Sequence, residues 1–321
     1  MRMSSKRACV LFFLIPLMTH CTSSSHSPQS SSPVKIEKRI EVKSIRNDGL
    51  DADFFLGRSD KPQKAIILLG GSEGGKDWSE NGSFIRELMD QGCCVLSLGY
   101  FGPGDLPREL RAIPLEYFAK AFHWLSEQKE AVIPNEYALI GVSRGAELAL
   151  LLGSRYSEVK TVVAIAPSCV VFPGPPTGLL DALQGQHSAW SSRGQEITFV
   201  PVPYSWTTVK GMISGGRRQM FEKALERGRN RKEATIPAEK IQGPILLISF
   251  TRDQVWPSTP MSQQIMQRLH NHAFHYPYKH ISYNAGHSKW NTPACRTEIL
   301  SFLGKHFLTL VQSPQPPENK K

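Results

Sequence analysis

The pentapeptide Gly141-Val142-Ser143-Arg144-Gly145 holds a hydroxyl where a nucleophile could stand. The apolar run Tyr137-Ala138-Leu139-Ile140 precedes it, and the helix-forming Ala146-Glu147-Leu148-Ala149-Leu150 follows. A serine between such a strand and such a helix sits in a tight, strained turn. The flanking glycines leave room where side chains would clash, and the hydroxyl is raised above the strand ends. The backbone N–H of Arg144, at the helix start, then faces the place where a carbonyl oxygen would gain negative charge. The plainer alternative is a Gly-Ser turn capping an ordinary helix; strand, turn and helix in register argue against it.

A serine needs a base, and the base needs an orienting acid. With the nucleophile in a strand–turn–helix elbow, the chain order is Ser, then Asp or Glu, then His. Of the ten histidines, His287 stands in the turn Asn284-Ala285-Gly286-His287, just after the last strand-like segment. His123 and His306 fall within helical segments. His270, His272 and His275 cluster at a helix end, where cations suit the dipole. For the acid, Ile245-Leu246-Leu247-Ile248-Ser249-Phe250 runs directly into Asp253. Asp181 and Glu196 also lie beyond Ser143, but neither follows an evident strand. A second oxyanion donor is expected in the loop Gly70-Gly71-Ser72-Glu73-Gly74-Gly75, at Gly71 or Ser72. This loop lacks the lysine–hydroxyl pair of a nucleotide-binding loop, since Asp77 follows Lys76.

To bring these residues together the chain must build a sheet. Val34 to Lys43 and Leu50 to Leu56 read as a hairpin joined through Asn47-Asp48-Gly49. Strands are then expected at 64–69, 93–100, 137–142, 161–166, 245–250 and 281–284. Helices are expected at about 83–91, 115–129 and 144–155. Strands separated by helices mean an α/β fold with a mainly parallel, doubly wound sheet. The segment from about 167 to 240 interrupts this alternation as an inserted lid. Trp190, Phe199, Trp206 and Met212 would line an acyl pocket or form the insertion's own small core. Its basic residues, Arg217 and Arg218 first among them, suit phosphates or anionic lipid, or else make a solvated helix face.

The chain has 321 residues, 40% of them hydrophobic and 21% charged, which fits one large domain. Its formal net charge of +10 speaks to solubility or to an anionic membrane surface. No zinc-finger, RRM-like or helix-turn-helix signature is present, so nucleic acid is not an expected partner. Arg2, Lys6 and Arg7 precede an apolar run from Ala8 to Met18, the size of a signal-peptide core. Cys21 and a serine-rich stretch to Ser32 follow, resembling a lipoprotein signal in which Cys21 is lipidated, although His20 replaces the usual small residue. The expected organisation is a leader and tether at 1–33, a catalytic domain at 34–311 and a tail at 312–321. Such a chain is exported, as a membrane-anchored lipoprotein or a periplasmic or secreted protein. Cys93, Cys94, Cys169 and Cys295 show no metal-ligand spacing, and neither metal nor cofactor is expected. Neighbours Cys93 and Cys94 should face opposite sides of a strand. A disulfide stays open, with no pairing favoured.

The run from Ile66 to Leu152 resembles the carboxy-terminal catalytic domain of the bile-acid-CoA:amino-acid N-acyltransferase and acyl-CoA thioesterase family. The resemblance rests on the Gly-Gly loop, Leu98-Gly99-Tyr100-Phe101-Gly102, Leu106-Pro107, Leu115-Glu116-Tyr117-Phe118 and the segment from Gly141 to Leu150. Downstream, Asp253-Gln254-Val255-Trp256-Pro257-Ser258 and Ala285-Gly286-His287 match in kind. It implies an α/β-hydrolase fold and a Ser143, Asp253, His287 triad acting on acyl thioesters. Full-length relatives add an amino-terminal β-sandwich domain, for which the residues between the serine-rich tether and Ile66 are too few. Members that conjugate amino acids use a cysteine nucleophile, so serine favours hydrolysis. An exported enzyme would meet lipid or other acyl esters more readily than acyl-CoA. Two alternatives accompany this reading: a general carboxylesterase of the dienelactone-hydrolase kind, and a catalytically silent lipoprotein that binds lipid or a partner.

Overall fold

The computed structural model describes residues 41–46, 49–102, 104–176, 185–203, 217–228 and 230–308. The leader with Cys21, the tail, Asp181, Trp206 and Met212 lie outside these residues. Strands β1 (Val42–Ile45) and β2 (Asp51–Phe55) form the antiparallel hairpin at one edge of an eight-stranded sheet. Next come β3 (Gln63–Leu69), β4 (Cys93–Gly99), β6 (Val132–Val142), β7 (Val159–Ile165), β10 (Ile245–Phe250) and β11 (Tyr278–Tyr283). The spatial order is β1-β2-β4-β3-β6-β7-β10-β11, and every pairing from β4 to β11 is parallel. The doubly wound sheet expected from the alternation is therefore what the chain forms.

A parallel sheet covered on both faces needs strands that are apolar on both sides. In β3, Ala65, Ile67 and Leu69 enter one core cluster while Ile66 and Leu68 enter the other. Cys94 and Cys93 divide between the same two clusters, so the neighbouring thiols face opposite sides. All four described cysteines are buried free thiols, and none pairs.

Helices close both faces. α1 (Gly82–Asp90) buries Phe84, Ile85, Leu88 and Met89, and α2 (Leu115–Glu127) buries Leu115, Phe118, Ala121, Phe122 and Leu125. At one turn apart these residues make a single apolar stripe, and burying each large side chain is worth roughly 1.5–3 kcal/mol. α3 (Arg144–Gly153) is buried along its whole length, with the sheet on one side and the insertion on the other. After the insertion come α6 (Ser258–Asn271) and α7 (Pro293–Leu303). α7 starts at Thr292, whose hydroxyl accepts the Cys295 N–H, with Pro293 at the first helical position. Among the described residues no helix is long and apolar enough to cross a membrane.

The described parts of the insertion carry α4 (Arg218–Arg227) and the short α5 (Arg231–Ala234). A small second sheet, β5 (Ile113–Pro114), β8 (Trp190–Ser192) and β9 (Gln195–Glu196), was not foreseen. Segments of two or three residues show no alternation that could announce them. The insertion does not keep a core to itself. Phe172, Trp190, Val200 and Phe221 belong to the same cluster as α2 and α3. Backbone bonds from the Val171 N–H to the Ala234 carbonyl (2.8 Å) and from the Val200 N–H to the Val171 carbonyl (2.9 Å) tie its described stretches together.

Candidate active site

Ser143 follows the last residue of β6 and precedes α3, with φ 56° and ψ −115°, a conformation that L-residues rarely adopt. The two glycines of the motif are required by space. A Cβ on Gly141 would lie 2.0 Å from the Gly145 carbonyl oxygen, and one on Gly145 would lie 2.2 Å from that of Leu69. The Ser143 N–H is tied to the Ile165 carbonyl of β7 at 2.8 Å, which fixes the elbow against the sheet.

Three side chains meet there. Ser143 Oγ is 2.9 Å from His287 Nε2, and His287 Nδ1 is 2.8 Å from Asp253 Oδ2. The Asp253 side chain is fully buried, and that of His287 is 12% exposed. A carboxylate only accepts, so Nδ1 carries the proton and Nε2 is left as an acceptor toward the serine hydroxyl. Asp253 is itself immobilised. Its Oδ1 accepts the backbone N–H groups of Val255 (2.9 Å) and Trp256 (3.2 Å), and its Oδ2 also accepts the Ser258 hydroxyl at 2.7 Å. Trp256 stands edge-on to the His287 ring at 6.0 Å and donates its indole N–H to the Ala166 carbonyl at 3.0 Å. Ser258 stands in the sequence only as the last residue of the family-like run from Asp253, with no role assigned to its hydroxyl.

A cleft opens beside the serine, lined by Ser72, Ser143, Arg144 and Arg217 with Pro173, Pro175, Pro176, Val202, Met220, Phe221, Val255 and Trp256. Arg144 is the first residue of α3, so its N–H lies among those without an intrahelical acceptor. The glycine-rich loop splits the two residues expected as its partner. The Gly71 N–H is taken by the Glu73 carboxylate at 2.9 Å and does not serve as a free donor. Ser72 does line the cleft. Tyr100 steadies this loop, donating its hydroxyl to the Gly70 carbonyl at 2.6 Å; burial pushes the phenol upward from its ordinary range.

The other expected contacts divide as well. Trp190 is fully buried and gives its indole N–H to Glu147 at 2.8 Å, so it packs in the core and does not line the cleft. Arg217 lies at the cleft. Arg218 is a clasp instead: its guanidinium binds Glu222 at 2.6 Å and reaches the carbonyls of Asp253 (3.2 Å) and Thr251 (3.4 Å). It thereby pins α4 to the loop that carries Asp253.

The mainly parallel sheet, the elbow and the acid and base after its last two strands define an α/β-hydrolase fold. Solved structures agree on the fold. An esterase from Pyrococcus furiosus superimposes with a TM-score of 0.54 at 16% identity, over 84% of this chain and 94% of that one. An α/β hydrolase from Penicillium sp. sh18 does so at 0.52 and 17%, over 84% and 99%. Residues 113–308 match the family described as BAAT / acyl-CoA thioester hydrolase C terminal, and the chain belongs to that family. Acyl-coenzyme A thioesterase 6 of Mus musculus is 28% identical over 228 residues, 71% of this chain and 49% of the relative. Acyl-coenzyme A amino acid N-acyltransferase 1 of the same species is 27% identical over 234 residues, 73% and 50%. The mouse peroxisomal succinyl-coenzyme A thioesterase is 26% identical over 228 residues, 71% and 49%. The chain spans about half the length of these curated relatives.

Proposed function

We propose that the protein hydrolyses acyl thioesters through an acyl-enzyme formed on Ser143. The observation that carries this is the continuous hydrogen-bonded chain from Ser143 through His287 to Asp253 at the foot of a largely apolar cleft. His287 takes the hydroxyl proton as Ser143 Oγ bonds to the carbonyl carbon, and Asp253 stabilises the imidazolium that forms. The oxyanion is held by the Arg144 N–H and a donor of the Ser72 loop. The carbon–sulfur bond then breaks, and the imidazolium proton leaves with the thiol. Water, deprotonated by His287, attacks the ester carbonyl, and the proton returns to Ser143 Oγ as the acid departs.

Family membership supports an acyl thioester substrate, and a serine nucleophile favours water over an amine as acceptor. The leader supports a second reading. If Cys21 is lipidated and the chain is held at a membrane surface, a lipid or small acyl ester becomes the natural substrate, as for a general carboxylesterase. A fluorophosphonate probe should label wild type and not Ser143→Ala. Turnover of acyl-CoA, phospholipid and short nitrophenyl esters then separates thioesterase from carboxylesterase. Failure of wild type to label, or equal labelling of Ser143→Ala, would leave a lipid- or partner-binding lipoprotein as the better account.

A further inference from the structure

We propose that the Arg144 guanidinium positions the oxyanion hole, joining the elbow, the inserted segment and the loop of Asp253 through one buried side chain. The inference rests on Ser143 being the nucleophile and adds a task for the side chain of the residue after it. That side chain is 5% exposed and its partner Glu147, one turn along α3, is fully buried. Arg144 Nη1 donates to Glu147 Oε2 at 3.0 Å, and Nη2 donates to the Pro173 carbonyl of the insertion at 2.5 Å. Glu147 Oε1 accepts from Trp190 Nε1 at 2.8 Å and from the Phe172 N–H at 3.4 Å. The guanidinium also lies over two rings, Trp256 at 5.3 Å and Phe172 at 5.9 Å.

Stability alone is a poor reason for such an arrangement. Taking two charges out of water offsets most of their attraction, and apolar residues of similar volume often do as well. Burial indeed pushes the Glu147 carboxyl upward from its ordinary range, with Arg144 opposing that shift. What the pair supplies is a fixed point. Ser143 holds a strained backbone that persists only where its surroundings over-determine it. The next residue, Arg144, is held from both ends: its backbone by α3, its guanidinium by groups on three separate segments. Trp256, whose ring lies under the guanidinium, donates its backbone N–H to Asp253 and faces His287. The oxyanion donor and the acid–base pair therefore share one brace.

The test uses the full chain with a short nitrophenyl ester and an alkyl boronic acid, which becomes tetrahedral on the serine as the reacting carbonyl does. Arg144→Met alone strands a buried carboxylate, so the informative variant is Arg144→Met with Glu147→Gln. That variant should fold, keep KM within about twofold and lose about 10- to 100-fold in kcat, the scale of an ångström-sized misplacement. Boronate affinity should fall by a similar factor. Arg144→Lys, which keeps the charge without the planar fork, should recover only part of the rate. A folded double variant with kcat and boronate affinity near wild type overturns the proposal, as does a change confined to KM. If the double variant does not fold, Arg144→Lys decides: wild-type kcat and boronate affinity overturn the proposal, and a shared loss supports it. Wild type that neither turns over nor labels overturns the hydrolase reading first and this one with it.

Discussion

Ser258 and His287 donate to the same oxygen, Asp253 Oδ2, at 2.7 and 2.8 Å. The other oxygen of that carboxylate takes two backbone N–H groups. The acid that orients the base is thus held by four donors. Ser258 is also the first residue of α6, and its hydroxyl accepts the Phe250 N–H at 3.4 Å, joining the end of β10 to the next helix.

Removing that hydroxyl tests its part in orientation. Ser258→Ala should lower kcat by about 3- to 10-fold with KM little changed, and lower stability by about 1–3 kcal/mol for the donor lost from a buried acceptor. Steady-state kinetics beside urea denaturation reads both. Unchanged kcat would mean that the backbone donors alone hold Asp253.

The elbow makes a prediction about space. A Cβ at Gly145 meets backbone oxygens of Leu69 and Gly70 at 2.2 and 2.3 Å, and neither can swing aside as a side chain could. Gly145→Ala should cost at least the ~1–3 kcal/mol of core overpacking. Gly82→Ala is the control, because its Cβ meets only a distant arginine terminus at 3.9 Å in the first turn of α1. It should be neutral or slightly stabilising. Equal melting temperatures for the two variants would contradict the packing described for the elbow.

The four described thiols should be inert in the native protein. Burial pushes Cys169 and Cys295 up to about 12 and drives Cys93 and Cys94 upward as well. Thiolate, the reactive form, is then scarce at neutral pH. Iodoacetamide followed by peptide mass spectrometry should find these positions unmodified until denaturant is added. Rapid native labelling at any of them would show the site to be open.

Acid should weaken the fold through His280. Its Nε2 lies 2.8 Å from the Ser249 hydroxyl, and burial lowers its pKa from the ordinary 6.5. As pH falls beneath 6.5 the unfolded chain takes a proton that the native ring resists, so the stability present above that value declines. His280→Gln should flatten the change in urea midpoint between about pH 7.5 and about pH 5. His306, shifted in the same direction, leaves part of the slope in place. Parallel slopes in wild type and variant would assign the effect elsewhere.

What could be read in advance followed from periodicity and order. β10 begins and ends where its apolar run does, and the residues just past the ends of β6, β10 and β11 are those brought into contact. Long-range partners were not legible. Glu147 reads as an ordinary polar position on a helix, yet it is fully buried and receives Trp190 from 43 residues away. That is why Trp190 could be read either as a pocket wall or as the insertion's own core, whereas it packs in the core shared with α2 and α3. Gly71 failed as a donor for a local reason: a carboxylate two residues on caps its N–H. The described part of the opening strand, Val42–Ile45, runs two residues past the expected end at Lys43, because its pairing with β2 continues to Ile45; the expected start at Val34 lies outside the described residues.

The sheet order has a consequence for how activity is lost. Ser143 leaves β6 near the centre, whereas His287 follows β11, an edge strand with no fully buried residue. Partial opening starts where burial is least. The base therefore rides on a segment that should exchange its amide hydrogens early, and the nucleophile on one that should exchange late. Heat or mild denaturant should extinguish turnover while most of the molecule is still folded, and cooling should restore it without refolding from the start.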